Sequence, residues 1–407
     1  MRHCRIALYS HDAMGLGHVR RNMLLAQAFA SCPERPAVLL ITGAREAATF
    51  AMPPGVDCLA LPALHKEPGG TYRSRTLDLP LADIVGLRAA TIRAALDAFE
   101  PDLFVVDNVP CGAEGELMPA LGTRQSRTRC VLGLRDVLDD PVAVADEWRR
   151  RRNVEVTEQY YEAVWVYGDR CVYDLVAECS IFQRLAHKMR YTGYLDPSVR
   201  DAPLEPEAHG DPTTRERFAL CLVGGGQDGA FLAEAFARAR APGELHRVIL
   251  SGPFMPPETR RRLRELAARD RRLHVRDFVT DEASYLRHAS CVVSMGGYNS
   301  VMEVLAHRKP LVIVPRVRPR REQLVRAERL RSLGLADVLR PEDATSDALT
   351  RWMADRAQDQ PPAGHARAAL GFDFDGLTRV QAFARDLLFG DGLTPRDHCG
   401  EVQPVEC

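Results

Sequence analysis

Three glycine-rich turns carry residues that suit the binding of phosphate. The first, Met14-Gly15-Leu16-Gly17-His18, follows an apolar run and precedes an amphipathic segment. Glycine lets the backbone approach a ligand closely, and the start of a helix offers N–H groups to an anion. His18 would project toward the carboxyl edge of a parallel sheet, where ligands bind in open α/β folds. Histidine also suits a general base at neutral pH.

The first turn departs from the pattern of a dinucleotide-binding enzyme. Such an enzyme would carry G-x-G-x-x-G, but Arg20 takes the place of the third glycine. The second apolar run ends in Thr42-Gly43-Ala44, without the expected carboxylate. The sequence therefore disfavours a nicotinamide enzyme, and a purely structural turn stays open as an alternative.

The other two turns lie in the second half of the chain. The second turn starts with Gly224-Gly225-Gly226 and ends at Gly229. Ordering three successive glycines costs backbone entropy, which indicates that they contact a ligand or lie close to another part of the backbone. The third turn runs from Ser294 through Gly296 and Gly297 into a helix that carries Glu303. Ser300-x-x-Glu303 also has the spacing of a capping box, in which the glutamate would only cap its own helix. Both readings stay open from spacing alone.

Short apolar runs alternate with amphipathic segments along the chain, which predicts parallel sheets covered on both faces. The predicted strands are Arg5–Tyr9, Ala37–Ile41, Leu103–Val106, Cys130–Leu134, Ala163–Val166, Phe218–Val223, Arg247–Leu250, Leu273–Arg276, Cys291–Ser294 and Pro310–Val314. The predicted helices are Val19–Ala30, Leu81–Ala98, Val142–Tyr161, Gly229–Ala239, Pro257–Ala268, Asn299–His307 and Arg321–Leu333.

A length of 407 residues predicts two domains. Residues 196–214 are rich in proline, acid and glycine, and this composition predicts a linker. We therefore expect an N-terminal domain over residues 1–200 and a C-terminal domain over 201–392. The polar residues 393–407 are expected to form a loose tail.

Composition excludes several classes of function. A formal net charge of −1 gives no global attraction for nucleic acid or anionic lipid. No apolar run approaches the length of a membrane span, and the N-terminus does not read as a signal peptide. Eleven scattered cysteines without C-x-x-C spacing indicate a reducing cytoplasm and no structural zinc. Asp373-Phe374-Asp375 has the spacing of a metal-binding D-x-D, but its place before a terminal helix favours a surface or capping role.

Five motifs occur in a fixed order along nearly the whole chain. They are the glycine turn with His18, G-G-x-Q-x-G at Gly224–Gly229, Arg276-Asp277-Phe278, the S-x-G-G-x-x-S-x-x-E block from Ser294 to Glu303, and Pro315-Arg316 followed by Glu322-Gln323. This series resembles the MurG-like and glucuronosyltransferase-like branches of the GT-B glycosyltransferases. The resemblance implies an α/β fold of two Rossmann-like domains whose parallel sheets face a central cleft.

The resemblance also implies a role for each motif toward a nucleotide diphosphate sugar. The two C-terminal glycine turns would bind the diphosphate, backbone near Phe278 the base, Glu303 the ribose, and Glu322 with Gln323 the sugar. The residues expected to bind the donor are Gly17, Gly225, Gly226, Gln227, Phe278, Val279, Ser294, Gly296, Gly297, Asn299, Ser300, Glu303, Glu322 and Gln323. MurG-type enzymes carry glutamine where this chain has Glu322, so the donor sugar stays open, and UDP is the default base by family frequency.

We expect an inverting, metal-independent transfer without a cofactor, since GT-B enzymes of this branch use backbone amides in place of a metal. His18 is the first candidate for the base and Asp136 the second. The glycine-rich stretch His65–Arg75 is expected to form a mobile lid or an ordinary loop. The residues expected to bind the acceptor, a small and soluble molecule, are Lys66, Tyr72, Asp107, Asn108 and Glu116. A non-hydrolysing nucleotide-sugar epimerase and a catalytically silent nucleotide-sugar-binding partner are the alternatives.

Overall fold

The computed structural model describes residues 3–12, 17–67, 71–197, 217–277, 279, 282–356 and 374–390. Most of the predicted linker, the predicted tail, Asp373, Phe278 and parts of the first glycine turn and of the 65–75 stretch lie outside the described residues. The described residues form two compact units. Unit 1 takes its residues from 1–136, 144–195 and 373–407, and unit 2 from 137–143 and 196–372.

Unit 1 is built on a parallel sheet of seven strands in the order β3-β2-β1-β6-β7-β8-β9. Its strands are β1 (Arg5–Ser10), β2 (Ala37–Thr42), β3 (Val56–Ala60), β6 (Leu103–Asp107), β7 (Arg129–Arg135), β8 (Ala163–Tyr167) and β9 (Met189–Tyr191). A separate antiparallel hairpin joins β4 (Leu64–Lys66) to β5 (Tyr72–Ser74). The central strands β6 and β8 are buried along their whole length, as expected for a sheet covered on both faces.

Unit 2 repeats this architecture with a parallel sheet of six strands in the order β12-β11-β10-β13-β14-β15. Its strands are β10 (Phe218–Leu222), β11 (His246–Leu250), β12 (Leu273–Arg276), β13 (Ala289–Ser294), β14 (Leu311–Ile313) and β15 (Asp337–Val338). Its core lies where β10 and β13 pack against α7 (Ala230–Arg238), through residues such as Cys221, Val293 and Phe236.

The helices follow the strands in the alternation that the sequence predicts. Numbered along the chain, they are α1 (Gly17–Ala30), α2 (Leu81–Phe99), α3 (Met118–Thr123), α4 (Pro141–Arg150), α5 (Asn153–Tyr160), α6 (Leu175–Glu178), α7, α8 (Pro257–Arg269), α9 (Glu282–His288), α10 (Tyr298–Ala306), α11 (Glu322–Ser332), α12 (Ser346–Arg356) and α13 (Gly376–Phe389). None of these helices is both long and apolar enough to cross a membrane.

All ten predicted strands are present, with ends that differ by one or two residues. The predicted helix Val142–Tyr161 is wrong as a single element, because it is divided into α4 and α5. Arg152, between the two helices, has a φ of 54°, a left-handed conformation that ends regular α-helix. The stretch His65–Arg75, predicted to be a mobile lid or an ordinary loop, includes most of the β4–β5 hairpin.

The two units differ from the predicted domain boundaries in two places. Helix α13 belongs to unit 1 although the prediction gave residues up to 392 to the second domain. The Gln381 amide donates to the Ala28 carbonyl of α1 over 2.5 Å, and Leu377 and Val380 are buried. Conversely, residues 137–143 belong to unit 2, where Asp139 accepts a 2.7 Å hydrogen bond from the backbone N–H of Arg321.

The order of strands reverses once in each sheet, between β1 and β6 in unit 1 and between β10 and β13 in unit 2. Successive connections leave to opposite sides at such a point, so a crevice opens at the carboxyl ends of the two strands. The first glycine turn follows β1, the second follows β10 and the third follows β13. The fold therefore brings the second and third turns, and His18 at the start of α1, to the edges where ligands bind in α/β sheets.

Candidate active site

In unit 1, the reversal point brings His18 and Asp107 together. His18 is the second residue of α1, and Asp107 is the last residue of β6, which pairs with β1. Nδ1 of His18 lies 2.5 Å from Oδ2 of Asp107. The His18 side chain is 19% exposed and Asp107 is fully buried. The partly exposed imidazole of His18 is thus hydrogen-bonded to a buried carboxylate.

Arg21, one turn along α1, holds the same carboxylate. Its Nε and Nη2 atoms donate to Oδ1 of Asp107 over 3.0 and 2.6 Å, and Nη2 lies 2.7 Å from Oδ2. Burial alone would raise the pKa of Asp107, but the Arg21 guanidinium and His18 outweigh it and hold this pKa well below its usual range. Asp107 is therefore ionised at neutral pH. The sequence offered no signal for Arg21 beyond its place one turn after His18.

The partners of Nδ1 fix the tautomer of the His18 ring. Because ionised Asp107 can only accept hydrogen bonds, the 2.5 Å contact requires a proton on Nδ1 of His18. The neutral ring then carries its lone pair on Nε2, the nitrogen that Asp107 does not contact. Such an imidazole can accept a proton from a ligand, with its orientation fixed by the carboxylate.

Two polar residues that directly follow β1, His11 and Asp12, lie next to this arrangement. Asp12 accepts hydrogen bonds from Thr42 Oγ1 over 2.6 Å, from the Ser10 hydroxyl and from the backbone N–H of Val19 in the first turn of α1. The ring of His11 lies 5.0 Å from that of His18, centroid to centroid. Burial, followed by the neighbouring His18, holds the pKa of His11 well below its usual value, so His11 is neutral at pH 7.

Two of the carboxylates predicted to bind the acceptor are in fact buried and engaged inside unit 1. Asp107 bonds Arg21 and His18, and Glu116 forms an ion pair with fully buried Arg88 and accepts from the hydroxyl of Tyr9. Neither carboxylate has any exposed surface and each is paired with a buried arginine, so an acceptor-binding role for these two residues does not fit the structure. Sequence spacing carries no information on this pairing.

The remaining unit 1 candidates differ in exposure. Asp136 follows β7 at the same sheet edge but is fully buried and accepts a 3.2 Å hydrogen bond from Tyr194. Lys66 is half-buried and its ammonium lies 5.5 Å from the centre of the Tyr72 ring across the hairpin. Asn108, directly after Asp107, is half-buried with a φ of 68°. His18 is thus better placed than Asp136 to meet a ligand.

In unit 2, the second and third glycine turns follow neighbouring strands. Leu222 at the end of β10 pairs with Ser294 at the end of β13. The residues that follow are Val223–Gly229 and Met295–Gly297, and they lead into α7 and α10. Both helices therefore begin at the same sheet edge, and the start of a helix offers backbone N–H groups to an anion.

Glycine is required at one position in each of these two turns. Gly226 has a φ of 88°, and a Cβ atom there would clash with the carbonyl oxygen of Ser251. Gly296 has a φ of 86°, and its Cβ would lie 2.7 Å from Cγ2 of Ile313. The backbone is therefore folded as only glycine allows, and the turns are held in place by the strands around them.

The structure tests the capping-box reading of Ser300 and Glu303. Helix α10 begins at Tyr298 with Gly297 at its N-cap and no side-chain cap. Ser300 lies within the first turn, so the capping-box alternative is wrong. Asn299 and Ser300 are half-buried at the helix start, and Glu303 is buried one turn further on. The hydroxyl of Ser294 accepts a 3.3 Å hydrogen bond from the N–H of Gly296 and so supports the turn.

Glu322 and Gln323 begin α11 and are joined to Arg316. Nη2 of Arg316 lies 2.5 Å from Oε1 of Glu322, and the backbone N–H of Arg316 donates to Oε1 of Gln323 over 2.8 Å. Nη1 of the same arginine donates to Asp228 of the second glycine turn over 2.9 Å. Arg316 therefore connects the predicted sugar-binding pair with the predicted diphosphate-binding turn.

The other predicted donor-binding residues are placed as follows. Gly17 and Gln227 are exposed, Gly225, Gly297 and Val279 are half-buried, and Phe278 lies outside the described residues. In the described ranges, no group of three or more histidine, cysteine, aspartate or glutamate side chains is arranged to hold a metal ion.

Residues 219–372 match the glycosyltransferase family 28 C-terminal domain. A UDP-N-acetylglucosamine–N-acetylmuramyl-(pentapeptide) pyrophosphoryl-undecaprenol N-acetylglucosamine transferase from Geobacillus kaustophilus (strain HTA426) is 34% identical over 76 residues. That alignment covers 18% of this chain and 21% of the enzyme, so the chain matches only about a fifth of the length of this relative.

Solved structures share the fold over nearly the whole chain. The calicheamicin glycosyltransferase CalG4 is 19% identical with a TM-score of 0.59, over 95% of this chain and 99% of that one. A UDP-N-acetylglucosamine 2-epimerase is 11% identical with a TM-score of 0.64, over 100% of both chains. At these identities the similarity establishes the architecture, which transferases and epimerases have in common.

Proposed function

Starting from a GT-B fold whose second unit carries a glycosyltransferase family 28 C-terminal domain, we propose that this protein is a glycosyltransferase. It moves a sugar from a nucleoside diphosphate, most simply UDP, to a hydroxyl or amine of a small acceptor. The reaction proceeds with inversion, in one displacement, without a metal ion or cofactor.

One observation carries this proposal: the second and third glycine turns lie side by side at the reversal point of the unit 2 sheet. The pairing of Leu222 with Ser294 brings the starts of α7 and α10 to one edge. Two helix N-termini and the N–H groups of the glycine turns match the charge and the oxygen atoms of a diphosphate. This edge lies within the segment that matches family 28.

The rest of the donor is assigned to side chains near these turns. Glu303 accepts hydrogen bonds from the ribose hydroxyls, and backbone near Val279 reads the base. Because Oε1 of Gln323 is engaged by the Arg316 N–H, its amino group is left to donate to a sugar hydroxyl. Glu322, held by Arg316, accepts from a neighbouring hydroxyl.

In the chemical step, Nε2 of His18 takes the proton of the acceptor hydroxyl or amine. The acceptor atom forms a bond to the anomeric carbon from the face opposite the diphosphate, and the bond from that carbon to the diphosphate oxygen breaks. Asp107 keeps the ring oriented through this step by accepting the Nδ1–H hydrogen bond. Negative charge that develops on the leaving diphosphate is stabilised by the backbone N–H groups, which is the work a metal ion would otherwise do.

We assign acceptor binding to unit 1 and identify the acceptor by its chemical class. Lys66 and Asn108 are half-buried and Tyr72 is buried next to Lys66, and these three residues remain the acceptor candidates. A natural-product intermediate is the preferred class, in line with the calicheamicin substrate in the name of CalG4. The lipid-linked substrate named for the Geobacillus enzyme is the other class to test.

Thermal unfolding in the presence of nucleoside diphosphates and their sugars tests donor binding. A ligand that binds only the folded chain stabilises it by about 2.7 kcal/mol at a hundredfold excess over its dissociation constant. We expect a rise in Tm with one nucleoside diphosphate and its sugars and none with the free nucleoside. A chain whose Tm responds to none of them is not a nucleotide-sugar enzyme.

The product formed from the best donor separates transfer from the alternatives. Incubation with acceptor candidates should yield a glycoside of inverted anomeric configuration, at a rate unchanged by EDTA. Incubation with the donor alone should leave the sugar stereochemistry intact, and conversion to an isomeric sugar would identify an epimerase. Tight binding with neither transfer nor slow hydrolysis of the donor would identify a silent binding partner.

A further inference from the structure

Arg21 is buried against the back of the candidate base, and the proposed reaction does not yet give it a role. Only 2% of its side chain is exposed, and its guanidinium stacks 5.6 Å from the centre of the Tyr167 ring. It bonds both oxygens of Asp107, and its Nη2 atom lies 3.0 Å from Nδ1 of His18. Both of these nitrogens carry hydrogen, so the two groups share Asp107 as acceptor and do not bond each other.

The contact with Arg21 changes what Asp107 does to His18. A buried carboxylate alone beside an imidazole attracts a proton onto the ring, because the resulting pair of opposite charges is neutral. With Arg21 present, Asp107 is already neutralised, and a second positive charge on His18 would lie 3.0 Å from the guanidinium. The carboxylate therefore orients the ring while the arginine opposes its protonation.

We propose that Arg21 is a positioning residue that keeps His18 in the neutral, Nδ1-protonated form, ready to accept a proton at neutral pH. The proposal rests on the proposed function for the use of this base, but the charge state of His18 can be measured without any substrate. In this proposal Asp107 orients the His18 ring, and Arg21 controls how strongly the charge of Asp107 favours protonation of that ring.

The other charged or titratable groups near His18 do not replace Arg21 in this role. His11 is neutral for the reason given above, and its ring lies 5.0 Å away. Asp12 is buried at the end of β1 and accepts three hydrogen bonds. Lys66 lies on the hairpin, over Tyr72. Arg21 contacts both members of the pair, Asp107 and His18.

NMR of the full-length protein labelled at histidine tests the proposal without a substrate. The His18 signals are assigned by their loss in His18→Ala, and the ring is titrated with pH. In wild-type protein we expect a neutral ring with Nδ1–H at pH 7. In Arg21→Gln the midpoint of the His18 titration should rise by at least about one pH unit. The variant removes the positive charge next to the ring and leaves the Asp107 carboxylate uncompensated.

Two further variants give the experiment its controls. Arg20→Gln removes the same charge from the neighbouring, half-buried residue of α1, and its midpoint should stay close to the wild-type value. Arg21→Lys keeps the charge and loses the bidentate contact, so its midpoint should lie nearer to wild type than that of Arg21→Gln. A folded Arg21→Gln variant with an unchanged midpoint, or a wild-type His18 that is already protonated at pH 7, overturns the proposal.

The pH dependence of turnover extends the test once a donor and an acceptor are known. In Arg21→Gln the acidic limb of kcat/KM should move to higher pH, with activity recovering in alkaline buffer and KM for the donor unchanged. A merely structural role predicts an equal loss at every pH. If no transfer is found, the NMR titration still decides the role of Arg21, so failure of this proposal and of the proposed function are distinguishable.

Discussion

At the scale of single residues, the side chain that matters most to the proposed chemistry is His18. Replacing it by alanine removes the base and leaves the unit 2 turns intact. We expect kcat to fall by about 10²- to 10⁴-fold, while the Tm shift given by the nucleoside diphosphate stays the same. His288→Ala, an exposed histidine on α9, is the matched control and should keep wild-type turnover. Turnover near wild type in His18→Ala would remove His18 as the base.

The ion pair of Asp107 with Arg21 should contribute to the free energy of unfolding in a way that depends on pH. Asp107→Asn leaves Arg21 buried without its ionic partner, and breaking such a pair costs about 3–5 kcal/mol at pH 7. The pKa of Asp107 is lower in the folded state than its unfolded value near 3.9. Its contribution is therefore fully present above about pH 4 and is lost as the pH falls toward the folded-state value.

Urea denaturation of wild type and Asp107→Asn across pH measures this contribution. The difference in the free energy of unfolding should be largest at pH 7 and shrink below about pH 4. Asp57→Asn, an exposed carboxylate on β3, is the control and should change stability by less than about 0.5 kcal/mol. A difference for Asp107→Asn that is constant from pH 7 to pH 3 would show that the ion pair does not stabilise the fold.

At the scale of elements, the turn between β13 and α10 depends on its first glycine more than on its second. Gly296→Ala places a Cβ at a φ of 86° and 2.7 Å from Ile313. We expect a loss of stability of at least about 1–2 kcal/mol and weaker binding of nucleoside diphosphate. Gly297 has a φ of −59°, and a Cβ atom there would meet open space. The Tm of Gly297→Ala should therefore match that of wild type. Equal Tm values for the two variants would contradict this account of the turn.

At the scale of the whole molecule, the chain returns to unit 1 after unit 2 is complete. Deleting α13 and the residues after it exposes the unit 1 surface that Leu377 and Val380 cover. Burying two such side chains contributes about 3–6 kcal/mol. Thermal unfolding should therefore show a large loss of stability, whereas deletion of residues 393–407 alone, the predicted loose tail, should leave Tm near wild type. Equal Tm values for the two deletions would show that α13 does not stabilise unit 1.

The fold by itself does not choose between transfer and epimerisation, because solved structures of both kinds share it. What favours transfer is the match of residues 219–372 to family 28. His11, close to His18, is a second histidine of the kind an epimerase needs, but it is buried and held neutral within unit 1. The donor-alone incubation therefore has a clear expected result.

The sequence by itself determined the alternation of strands and helices and the second and third glycine turns, and it pointed to His18 as the candidate base. These features are local. The spacing of apolar residues, the glycines of a turn and the first residues of a helix can each be recognised within about ten neighbouring positions. For this reason, each predicted strand is found within one or two residues of its expected ends.

Only the tertiary structure decided which side chains meet. Asp107 lies 89 residues from His18 and 86 from Arg21, and it reaches them because the sheet places β6 beside β1. The same long-range pairing buries Glu116 against Arg88, and it returns α13 to unit 1. Whether a carboxylate binds a ligand or an internal arginine depends on burial and on partners distant in the chain, and neither is encoded in the spacing of nearby residues.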